Sequence, residues 1–407
     1  ADDNRIRSLT GGEGPEILEQ FAPDKIAVEI GIPPGLRDKT RTPEDVIRDL
    51  AHDFAKHGSK SLAIGGGSAG AHKNGLFNLH AIYSLNYLVG SVGQKGGIIS
   101  SSLPPLDELR TKLPIGTLGE WGNVSSDIGN GEIELLLVHE ANPIQGLPSS
   151  IKLQENIASG NTFVISFSSF QDETTALSNL ILPIPLPLED WGDDVPDPGP
   201  GHDIVGIQQP IVRPLRNLDV PYGFADLLLI ISQELGIDTQ APLDKESFKE
   251  ILRESARKLH DLNRGSVIEP DFDTFWNRLL QQGGWWDRIA IGPDINRDPP
   301  NLKDLLQSDD TVMEPEITGP EGENTFHLIP FQSISLMDGR GAHLPWLQAT
   351  PDPITTVTWT TWIEMNTSDA ERMGLKEGDI VTVEGLEGDL LELPVYHHPA
   401  VPPGTVS

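Results

Sequence analysis

The chain has 407 residues with 61 acidic and 29 basic side chains, a formal net charge of -32, 37% hydrophobic residues and no cysteine. Such an acidic balance argues against nucleic-acid binding, which needs clustered Lys and Arg on phosphates, and disfavours direct adsorption to anionic lipid. Without cysteine these residues contain no disulfide, no thiolate-held iron–sulfur cluster and no zinc-thiolate site, while the length suffices for two or three domains, each with its own core.

Residues 1–42 read as an irregular, Gly/Pro-rich lead-in from a preceding domain, with one short turn around Pro15 to Phe21. Thr42-Pro43-Glu44-Asp45 then supplies a cap and an acidic first turn for a helix to about His57, its stripe Val46, Ile47, Leu50 and Phe54 at helical spacing. Ser61 to Ile64 is expected as a strand running into glycines, followed by a helix from about Asn74 to Leu88. The apolar runs Ile133 to Glu140 and Thr162 to Phe167 read as strands, each followed by a polar loop and a helical stretch. That alternation predicts a parallel α/β sheet. Further helices are predicted at Phe224 to Leu235, Lys245 to Leu262 and Asp271 to Gln282.

From about Asp287 to Asn324 the chain is rich in Pro, Asp and Gly, which marks a boundary. The expected partition is a lead-in over 1–42, an α/β domain over 43–286, a linker over 287–323 and a small β-rich domain over 324–407. In the last, the segments FHLIPF, VTWTTWIEM, DIVTVEG and LLELPVY read as short strands, and exposed strand edges at Ser407 call for a covering segment. No 18-residue apolar run and no signal-peptide pattern is present, so no direct membrane span is expected.

Several motifs carry chemistry on paper. Gly65, Gly67 and Gly70 satisfy a dinucleotide-type glycine pattern, yet no acidic residue follows between Gly70 and Pro105 to hold a ribose. Glycines that permit a tight turn and close helix packing are the better reading. The same loop spells a nucleophile elbow around Ser68, and Asp190 with His260 or His327 would complete a hydrolase triad in the right order, although nothing fixes those partners. His397-His398 lacks a third ligand at useful spacing, and Trp285-Trp286 is expected to pack at a helix end.

The most informative pair of segments is Ala141-Asn142-Pro143 and the stretch DETTALSNLILP from Asp172 to Pro183, each at the end of a predicted strand, where α/β proteins build ligand sites. The pattern resembles the molybdopterin oxidoreductases of the dimethyl sulfoxide reductase family, with Ser178-Asn179 standing where that family has Ala-Asp. The segment from Gly65 to Gly97, Leu188-Glu189 followed by IQQPIVRPL from Ile207, and Trp362 to Val383 are similar to further family segments, in family order. LPWLQATPDP from Leu344 and FWNRLLQQGGWWD from Phe275 are similar to a subset: polysulfide and tetrathionate reductase-type subunits and the corresponding iron–sulfur subunit of alternative complex III.

The resemblance implies an α/β, parallel-sheet domain followed by a small double-psi-barrel-like domain that is incomplete at Ser407. It places pterin-contact positions at Asn142, Asp172, Glu173, Thr174 and His343 if a pterin is retained, with Asp172 on the guanine N–H groups and Asn142 and Thr174 reaching phosphate or pterin edges. Two roles are open. The first is a cofactor-less scaffold in a membrane quinol:electron-acceptor oxidoreductase of the alternative complex III type, on the extracytoplasmic face. Its partners would be a ferredoxin-like iron–sulfur domain, integral quinol-binding subunits and cytochrome c-type subunits, which carry the clusters and haem. The second is part of a catalytic subunit holding bis-molybdopterin guanine dinucleotide.

Overall fold

A computed structural model describes residues 3–30, 41–99, 116–196, 200, 202–213, 222–237, 239–240, 243–287, 301–307, 322, 324–337, 339, 341–385, 388 and 390–407. The chain divides into two compact units, Ala1–Ile99 with Pro293–Ser407, and Ser100–Gly292. The stretch expected as one domain over 43–286 therefore runs through both.

The first unit opens with α1 (Asp3–Leu9), a 3-10 turn at Pro15–Phe21 and α2 (Pro23–Ile30). The turn lies where the sequence placed it, whereas the two short helices lie in a stretch read as irregular. Neither is long enough to be stable alone; burial of Leu9, Thr10 and Ala27 supplies what local propensity lacks. Then come α3 (Pro43–His57) and α4 (Gly75–Val89). Thr42 and Asp45 form a reciprocal capping box on α3. The expected strand at Ser61 to Ile64 does not form. The segment is tied instead by one side chain: Asn86 accepts from the Ala63 N–H at 2.7 Å and donates to its carbonyl at 2.8 Å, replacing a strand partner.

The second unit contains α5 (Leu118–Asn130), β1 (Leu135–His139), α6 (Pro143–Gly146), α7 (Leu153–Ala158), β2 (Phe163–Phe167), α8 (Glu173–Ala176) and β3 (Leu180–Leu182). It continues through β4 (Gly192–Asp194), β5 (Asp203–Gln208), α9 (Phe224–Glu234), α10 (Phe248–Asp261), α11 (Phe272–Gln282) and β6 (Gly284–Asp287). The strands β1, β2 and β3 pair in parallel in that order, as predicted, with His139 opposite Phe167 and Phe167 opposite Leu182 at their C-terminal ends. One face is packed by Ile128 of α5 with Leu153 and Ile157 of α7 against Val138 and Val164. On the other, Phe224 and Leu227 of α9 pack with Phe167 and Ile184. A second, antiparallel sheet β4-β5-β6 lies under α10 and α11, its core built on Trp285, Phe275, Leu259 and Leu279. Trp285 is a packing residue, as expected, although it sits in a strand after the helix rather than at the helix end.

The first unit resumes with α12 (Leu302–Gln307), inside the stretch read as a linker, where Leu302 is buried and Lys303 pairs with Glu13 at 2.7 Å. It ends with β7 (His327–Leu328), α13 (Pro345–Gln348), β8 (Ile363–Met365), α14 (Thr367–Met373), β9 (Ile380–Glu384), β10 (Leu390–His397) and β11 (Thr405–Val406). These strands form one mixed sheet, order β7-β11-β8-β10-β9, curled as a half-barrel around Ile363, Met365, Ala370, Val395 and Val406. The four predicted strand segments all reach this sheet, though only two residues of the first and three of the second are strand. Among the described residues no helix is long and apolar enough to cross a membrane.

Candidate functional site

Because β1 and β2 are adjacent and parallel, the loops leaving their C-terminal ends emerge side by side. The ladder extends one residue further, Glu140 N–H donating to Phe167 carbonyl at 3.0 Å, with Glu140 itself in the left-handed region at φ 44°. The turn sends Asn142 toward the neighbouring loop. Glu140 Oε1 accepts from Ser169 N–H at 2.7 Å, a second tie between the loops.

At the start of α8, Asp172 Oδ1 accepts from Thr175 N–H at 2.7 Å, the cap expected from the Asp-Glu-Thr-Thr run. Thr174 and Thr175 are buried, and Thr175 meets Ser166 of β2 hydroxyl to hydroxyl at 3.1 Å. Thr174 Oγ1 donates to Asn142 Oδ1 at 2.8 Å and accepts from Ile144 N–H at 3.2 Å, while Asn142 Nδ2 donates to Glu173 Oε2 at 2.6 Å. Asn142 thus uses both ends of its amide on the other loop. Its donation, with Glu173's own backbone N–H, holds the Glu173 carboxyl below the ordinary range.

Of the five positions singled out from the sequence, Asn142, Asp172, Glu173 and Thr174 come together in the second unit. His343 lies on an exposed turn of the first unit, before α13. Sequence reading missed His139, whose imidazole stacks on Phe224 with ring centroids 4.0 Å apart and planes 8° apart. Removal of water from that ring lowers its pKa, against an opposing pull from Glu140. Phe224 lies 85 positions downstream, so no local signal marks the contact. Asn179 was noted only as a departure from a motif. In the fold its side chain accepts from Val164 N–H at 2.7 Å and its backbone N–H donates to Val164 carbonyl, fixing the start of β3 beside β2.

Ser68 belongs to the 3-10 turn Gly67–Ala69 of the first unit, while Asp190 and His260 belong to the second. His260 is committed to its own core: its ring packs edge-on against Phe272 and Phe275, and Nε2 bonds the Glu269 carbonyl at 3.1 Å. Among the described residues no group of three or more His, Asp or Glu side chains is arranged to hold a metal.

A molybdopterin group seated on these loops would need Asn142 and Thr174 to present polar atoms outward. In this arrangement they present them to each other and to Glu173, so these two residues do not fit pterin contacts, and Asp172 is engaged as a helix cap.

No family model matches the chain. It is 24% identical over 379 residues, 91% of its length, to the menaquinone reductase molybdopterin-binding-like subunit of Nitratidesulfovibrio vulgaris, of which the match covers 48%. It is 22% identical over 438 aligned positions, 92% of its length, to a nitrate reductase of Symbiobacterium thermophilum, of which it covers 53%. The fold is similar to that of acetylene hydratase from Pelobacter acetylenicus, with TM-score 0.58, 16% identity, and coverage of 96% of this chain and 57% of that one. The chain spans about half the length of the curated relatives it matches. The likeness to molybdopterin oxidoreductases read from the motifs is thus met again in sequence relatives and in fold.

Proposed function

We propose that this chain is the molybdopterin-like part of a quinone-linked oxidoreductase, kept as architecture and binding neither pterin nor metal itself. The observation that carries the reading is the closed exchange among Asn142, Glu173 and Thr174: the side chains placed at pterin-contact positions satisfy one another across the two loops. Similarity to a subunit named as molybdopterin-binding-like, in a menaquinone reductase, supports the quinone link. On this reading the chain acts as an acidic platform on the extracytoplasmic face of a membrane complex of the alternative complex III type. Electrons pass through iron–sulfur and haem groups on neighbouring domains or subunits, and a basic cytochrome is the partner that a charge of -32 steers best.

The second reading is a catalytic subunit holding bis-molybdopterin guanine dinucleotide, and similarity to a protein named nitrate reductase favours it. Molybdenum and tungsten content, with pterin fluorescence after oxidation, separates the two on native material containing this chain. No metal and no pterin is the expected result. About one metal and two pterins per copy would overturn the scaffold reading and require the loop cluster to open around the cofactor.

A further inference from the structure

We draw no further inference here: the strongest candidate, the exposed apolar patch of Leu135, Leu137, Phe163 and Leu180 that the parallel register sets on one face of the β1-β2-β3 sheet beyond the end packed by α9, carries nothing because nothing in the structure shows what covers it.

Discussion

Thr174 reaches Asn142 across two loops: its hydroxyl donates to the Asn142 carbonyl oxygen at 2.8 Å while accepting the Ile144 N–H at 3.2 Å. One buried hydroxyl therefore organises both segments that the motifs had marked. Thr174→Val keeps the shape but removes the hydroxyl from the half-buried Asn142 Oδ1, which retains the Thr174 N–H at 3.3 Å, and leaves the Ile144 N–H without its acceptor, so a loss of about 1 kcal/mol is expected. Glu173→Gln, at an exposed position, should stay within about 0.5 kcal/mol. Urea denaturation of the two variants measures the contrast; equal losses would show that the exchange does not hold the loops.

His139 gives the same site a pH dependence. Its folded pKa lies below the unfolded value of about 6.5, because stacking on Phe224 removes water from the ring. The unfolded chain therefore takes up the proton first as pH falls. Stability is full above the unfolded value and declines as pH drops through it. Thermal melts from pH 8 to pH 5 should fall more steeply for the native chain than for His139→Phe, which keeps an aromatic ring against Phe224. Parallel profiles would dissociate this histidine from the trend.

Asn86 is fully buried and serves both backbone groups of Ala63. Asn86→Ala should cost about 1–3 kcal/mol for each group left unpaired, and Asn86→Asp should destabilise as well, since a buried carboxylate keeps the acceptor but sets an oxygen against the Ala63 carbonyl. Hydrogen exchange at the Ala63 amide reports the same bond locally, and its protection should vanish in the alanine variant.

Gly265 turns at φ 93° directly against the fully buried indole of Trp285, where a β-carbon would clash with the ring atoms Nε1 and Cε2. Gly265→Ala is expected to cost at least about 2 kcal/mol and to shift tryptophan emission to the red as the β4-β5-β6 core opens. A neutral substitution would mean that the loop over this indole relaxes freely.

Much of the second unit was legible in advance. Apolar runs separated by polar loops and helical stretches anticipated β1, β2 and their parallel pairing, and the helix end at Gln282 was read correctly, as was that at His57 in the first unit. The Asp172 cap was legible because it closes within three residues. Four of the five site positions, read as pterin contacts only if a pterin is retained, proved to be neighbours in the fold. In the structure Asn142 faces Glu173 and Thr174, 31 and 32 positions away, a choice no periodicity encodes.

The division follows range. By itself the sequence determined what lies within one turn or one strand: caps, helix stripes, strand runs, the absence of thiols and a net charge of -32. Tertiary structure alone decided which of two partners a polar group takes. It gave Ala63 the side chain of Asn86 instead of a strand, stacked His139 on Phe224, and joined the first hundred residues to the last in one unit. A hydrogen bond or stacked ring depends on distances of a few ångströms between segments far apart in the chain, and those are set only when the intervening core has packed.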